Sequence, residues 1–176
     1  MKNINGHDVF AYIGSRYYDE LLFDVPFVDK IDDFKPIGGL WTSPYIGEFI
    51  ISDWRSFLRI NLPDRFERED HCTLFSIKDD AKVLILDNDI EFAKMYPQYI
   101  KEKSTDTLIE RMVLTNVKYD KIIEDGYDAF FLDGDICTKV SNASIFEQPV
   151  KMFGWDVETL YIINKNILNV VDTFMV

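Results

Sequence analysis

The chain has 176 residues, 47% of them hydrophobic and 15% aromatic, a composition that excludes intrinsic disorder. At roughly 100–200 residues per domain, one domain spanning residues 1–176 is expected. Nineteen basic against 31 acidic residues leave a net charge of −12, which argues against broad binding to DNA, RNA or anionic membranes, since these need a cationic surface. A small anionic ligand held by one local cluster of donors stays open.

Cys72 and Cys137 are too few for a disulfide framework and no Cys/His spacing suggests zinc, so both read as buried thiols and no metal site is expected. The opening MKNINGHDVFAYIGS lacks the apolar stretch of a signal peptide. No apolar run approaches the ~20 residues a spanning helix needs. A soluble, cytoplasmic protein without membrane contact is the expectation.

In chain order, Val9–Ile13 is the first short β-type run. Lys35-Pro36-Ile37-Gly38-Gly39 carries the densest turn chemistry and predicts a loop, followed by a short strand over Leu40–Thr42. Ser52 is placed to cap a helix carrying Trp54, Phe57 and Leu58, with Pro63 marking its far side. Thr73–Ile77 and Val83–Leu86 read as buried strands. Glu91–Tyr99 predicts a short helix interrupted by Pro97. From about Thr105 to Asp125, apolar residues including Leu108, Met112, Tyr119 and Ile122 recur at helical intervals, with Asn116-Val117 as a candidate break and Gly126 as terminator. Ala129–Leu132 and Leu160–Ile163 close the sequence as two further buried strands. The pattern is α+β, with helices concentrated in the first two thirds.

The residues that suggest chemistry lie around the last of these strands. Asp156 and Glu158 stand two apart at its start, so both side chains are expected on one face, where a carboxylate can border a cleft while the apolar residues behind it anchor the strand. Solvated strand-entry acids are the plainer reading of the same pair. Trp41 and Tyr12 read first as core aromatics, Arg16 as a surface residue, and Thr42-Ser43-Pro44 as a helix cap with proline at the first helical position. His7 and His71 have no partner nearby in sequence.

The order Gly126-Tyr127-Asp128, apolar strand, variable loop, then Asp156-x-Glu158 and a second apolar strand resembles the C-terminal half of the ADP-ribosyltransferase superfamily, whose Q/E-x-E motif opens a core strand. Gly38-Gly39-Leu40-Trp41-Thr42-Ser43-Pro44 is similar to the family's second motif, a strand ending in Ser/Thr-x-Ser, in a form associated with phage and bacterial members. Ala11-Tyr12-Ile13-Gly14-Ser15 fits the frame of the first motif, with Ile13 where the family has Arg or His. The resemblance covers roughly residues 8–170. It implies a split β-sandwich core with helices outside, NAD as cofactor, and mono-ADP-ribosyl transfer to a target protein in the cytoplasm, that of the host if the chain is phage-encoded. It also implies Glu158 as the carboxylate that stabilises the ribosyl transition state and Asp156 as the acid meeting the acceptor. Tyr12, Gly14, Trp41, Thr42 and Ser43 would surround the dinucleotide, and Arg16 would pair with a phosphate.

Two other readings compete. An acidic protein of this size can act without catalysis by presenting carboxylates to a basic partner, as a nucleic-acid mimic or as an inactive form of the same fold. Val83–Leu86 followed by Asp87-Asn88-Asp89, and Ala129–Leu132 followed by Asp133-Gly134-Asp135, also resemble the nucleophile strand of magnesium-dependent haloacid-dehalogenase phosphatases.

Overall fold

The computed structural model describes residues 1–31, 36–101, 117–137, 150 and 156–176. Eight strands form one mixed sheet: β1 (Val9–Gly14), β2 (Asp24–Ile31), β3 (Pro36–Pro44), β4 (His71–Ile77), β5 (Val83–Leu86), β6 (Ala129–Leu132), β7 (Thr159–Ile162) and β8 (Leu168–Met175). Their order is β5-β6-β7-β3-β1-β4-β8, with β2 added to β3. Helices α1 (Asp53–Asn61), α2 (Pro63–Phe66), α3 (Asp89–Met95) and α4 (Tyr119–Glu124) accompany them among the described residues. The chain is α+β.

Local chemistry sets the helix ends. Ser52 caps α1 by accepting a hydrogen bond from the Arg55 amide, and Pro63 opens α2 directly beyond it. Asn88 caps α3 through the amides of Ile90 and Glu91. Pro97 then forces a short 3-10 turn over Pro97–Tyr99. Of the helix expected over 105–125, residues 105–116 lie outside the described residues. Val117 bridges to Ile100, and the helical part that follows is α4, closed by Gly126 in the left-handed region.

Three sequence expectations need correction. Residues Pro36 to Gly39 are strand, the first half of β3, and not a loop. Gly38 and Gly39 sit at φ 84 and 68, and the pairing with β2 shifts register along this stretch, so turn-type residues serve a bulged strand. Thr42-Ser43-Pro44 ends that strand and caps no helix. Two strands went unread: β2, which carries Pro26 on a strand that pairs with β3 alone, and β8, whose Asn169, Asp172 and Thr173 belong to an exposed edge.

β3 is the hinge of the sheet. Leu40–Thr42 pair with β7, whereas Ser43 and Pro44 pair with Ala11 and Phe10 of β1. Beyond those two positions the strands part company, because Tyr12, Ile13 and Gly14 continue along β4. The sheet therefore opens between its two halves. On one half, Phe130, Leu132 and Tyr161 pack with Phe92, Tyr119 and Ile122 from α3 and α4, while Phe131, Leu160 and Ile162 turn to the other side, against Phe10 and Phe75. On the second half, Ala11, Ile13, Cys72 and Leu74 bury Leu58 of α1.

Candidate active site

Where β1 and β3 diverge, a cavity of about 470 Å³ opens, within the size range of small-molecule sites. Tyr12, Gly14, Trp41, Thr42, Ser43 and Asp156 all line it, together with Trp54, Arg65, Glu69 and Thr159. Six of the eight residues singled out in the sequence thus meet at one place. Arg16 and Glu158 are not among the lining residues.

Close packing builds this wall. A Cβ on Gly39 would lie 2.4 Å from a ring carbon of Tyr161 and 2.7 Å from the Ile162 carbonyl oxygen, so only glycine lets β3 approach β7 here. A Cβ on Gly14 would meet the Tyr12 hydroxyl at 2.5 Å, which shows the tyrosine ring folded along its own strand. Trp41 packs on Tyr161 with ring centroids 4.7 Å apart. The two hydroxyls of the Thr42-Ser43 pair bind the neighbouring backbone: Thr42 Oγ1 donates to the Leu160 carbonyl at 2.8 Å and Ser43 Oγ to the Glu158 carbonyl at 2.9 Å. Burial, reinforced by the nearby Glu69 charge, raises the Tyr12 pKa, with Arg16 opposing.

The cation at the cavity is Arg65 of α2. Its Nε donates to Glu69 Oε1 at 2.7 Å, and its guanidinium stands 5.3 Å from the Trp54 ring centroid. The second Glu69 oxygen is buried and has no hydrogen-bond partner among the described residues. Sequence reasoning passed over Arg65; the signal available was its spacing of four from Glu69, the interval of a helical ion pair. Ile13 is a core residue beside Leu58 and Cys72.

Asp156 and Glu158 do not share a face. The chain bends at Val157 and the ladder begins only at Thr159, so the alternation rule does not reach back to Asp156. Asp156 lines the cavity, whereas the Glu158 carboxylate turns to His7, with Oε1 3.2 Å from Nε2. Both side chains are partly buried, 15% and 31% exposed. His7 is flanked by the rings of Phe10 and Phe131, each 6.3 Å away. Burial raises the Glu158 pKa; the proximity of His7 opposes this and Asp133 reinforces it. The tight turn Ile4–His7, with Asn5 and Gly6 at positive φ, brings His7 to this position, a link across 151 residues that sequence spacing hides. His71 has its partner in the adjacent residue, Asp70, at 2.6 Å, which corrects the expectation that it has none nearby in sequence.

The second acidic constellation is arranged differently. Parallel pairing of β5 with β6 sets Leu86 beside Leu132, which brings Asp87 and Asp133 to equivalent strand ends. The Asp133 carboxylate is engaged by Asn5 Nδ2 at 2.6 Å and the Asp135 amide at 2.8 Å. Among the described residues, no three His, Cys, Asp or Glu side chains are grouped to hold a metal ion. Cys72 and Cys137 are free and buried, and burial pushes both thiols up to about 12. Among the described residues no helix is long and apolar enough to cross a membrane.

No family model, no curated protein and no solved structure matches the chain.

Proposed function

We propose that the protein is an NAD-dependent mono-ADP-ribosyltransferase that modifies a protein target, built on a split β-sandwich of the kind that superfamily uses. One observation carries the reading. The three segments that resemble the family's motifs are far apart in sequence, yet they lie on adjoining strands and border a single cavity, contributing Tyr12, Trp41, Ser43 and Asp156 to its wall. The parting of β1 from β3 supports the split form of the sheet.

In this reading the dinucleotide lies in the opening, with its nicotinamide ring against Trp41 and Tyr12 and a phosphate against Arg65. The bond between nicotinamide and ribose breaks with its electron pair leaving on nicotinamide. The anomeric carbon becomes positive, and a nucleophile of the acceptor then bonds to it and sheds its proton. A fixed carboxylate stabilises that developing charge without reorganisation. Asp156 borders the cavity as it stands. Glu158, to which the resemblance gives the role, serves when its carboxylate exchanges His7 for the ribose.

The test is nicotinamide release from NAD by the wild type and by the variants Asp156→Asn and Glu158→Gln. The functional carboxylate should cost about 10²–10³ in turnover when neutralised, with the melting temperature retained. Loss in the first variant alone assigns the role to the acid at the cavity; loss in the second assigns it to Glu158. A wild type that releases no nicotinamide, or two variants that both keep its rate, ends this reading.

A further inference from the structure

On the other side of α1 from the NAD-type cavity lies a larger groove of about 710 Å³. Phe66, Leu74, Phe174 and Met175 supply apolar surface to its lining, and Glu48, Arg55, Arg59 and Asp172 supply charge. The turn Gly47–Ile51 forms one side of it, with Phe49, Ile50 and Ile51 among its lining residues. This turn is held by the Ile51 amide on the Gly47 carbonyl at 2.7 Å and the Ile46 amide on the Ile51 carbonyl at 2.8 Å. Ile51 adopts φ 66, a conformation that β-branched residues avoid, while its side chain is anchored in the core beside Leu58 and Leu74. The outcome of that strained turn is Phe49 at 103% exposure, with Ile46 and Ile50 each half exposed. A protein that holds a phenyl ring fully in water next to an apolar groove has a knob and a hole on one face.

We propose that this face is the interface of a symmetric homodimer, in which Phe49 of each copy enters the groove of the other. A two-fold axis needs a patch that complements itself, and both parts are present here. Two of the charges fit the same arrangement. Among the described residues neither Glu48 nor Arg59 has an ion-pair partner within the chain, and the same axis would set Glu48 of each copy against Arg59 of the other. Association through side chains is favoured over extension of the sheet at β8. The outer edge of that strand is interrupted by a bulge, since Leu74 pairs with Asp172 and Phe75 with Val170, and the Thr173 amide is occupied by the Asp172 carboxylate at 2.8 Å. Both features are edge protection. The net charge of −12 on each copy opposes association, which makes the dimer tighten as salt rises toward physiological strength.

Sedimentation equilibrium of the full chain at several salt concentrations tests this. The wild type should be dimeric. Phe49→Asp should weaken the dimer by about tenfold or more with an unchanged circular dichroism spectrum, because the ring is fully exposed. Glu48→Arg and Arg59→Glu should each weaken it, and the double variant should recover. A wild type that stays monomeric, a Phe49→Asp protein that dimerises as well as wild type, or a double charge swap no better than its singles would overturn the proposal.

Discussion

The Ser43 hydroxyl donates to the Glu158 backbone carbonyl across 2.9 Å, and this bond closes the end of β3 onto the segment entering β7. Ser43 is 2% exposed, so its loss leaves a carbonyl without its partner away from water. Ser43→Ala should therefore cost about 1 kcal/mol, a fall of roughly 2–4 °C in melting temperature for a chain of this size. Calorimetry reads it directly. A variant as stable as the wild type would show that water replaces the hydroxyl.

A sharper contrast is expected between two glycines of similar backbone angle. Gly39 and Gly126 have φ 68 and 74. An added Cβ meets Tyr161 and the Ile162 carbonyl at the first and nothing within 4 Å at the second. Gly126→Ala should cost about 1 kcal/mol of backbone strain. Gly39→Ala adds the clash and the separation of β3 from β7, about 3 kcal/mol or more in total. Urea titration of the two variants compares them, and equal losses would mean that Tyr161 moves aside freely.

How much of this was legible follows from the range of the interactions. Ala129–Leu132 carries a continuous apolar run because both its faces are buried, Val83–Leu86 is buried on one face and half-buried on the other, and their limits match β5 and β6 residue for residue. The Ser52 cap and the Pro97 break are local and were equally plain. β8 was hidden because an exposed edge needs no apolar pattern. At the site, the segments containing Tyr12, Trp41 and Asp156 could be chosen from motif order. The placing of Arg65 at the cavity and the hold of His7 on Glu158 depend on contacts across the fold, although the i,i+4 spacing of Arg65 and Glu69 did signal their ion pair. The shared face assumed for Asp156 and Glu158 failed on one bend at Val157.

The burial of Glu158, which outweighs the opposing proximity of His7, predicts a pH signature. A carboxyl whose pKa is higher in the fold than in the unfolded chain binds more protons in the native state. Its contribution to stability is fully present below the unfolded value, ordinarily 4.5, and is lost as pH rises through the raised folded value. Glu158→Gln removes this titration. The melting temperature of the wild type relative to that variant should fall as pH is raised from about 4 and then level off. A difference independent of pH between 4 and 7 would mean that burial of Glu158 is not felt by its proton equilibrium.

Under the proposed function, Arg65 and Arg16 are competing sources of positive charge for a dinucleotide phosphate, and their settings differ. Arg65 lines the cavity, oriented by Glu69 and seated near Trp54. Arg16 is exposed and does not line it. A guanidinium already held in place forfeits less side-chain entropy on binding an anion, whereas a solvated one must be ordered first. The rise in melting temperature produced by NAD should therefore shrink in Arg65→Ala, corresponding to about tenfold weaker binding, and persist in Arg16→Ala. Added salt should reduce the effect in the wild type and in Arg16→Ala more than in Arg65→Ala, since only the first two retain the cavity charge. The opposite ranking would return the phosphate to Arg16 and require the segment after β1 to fold over the opening.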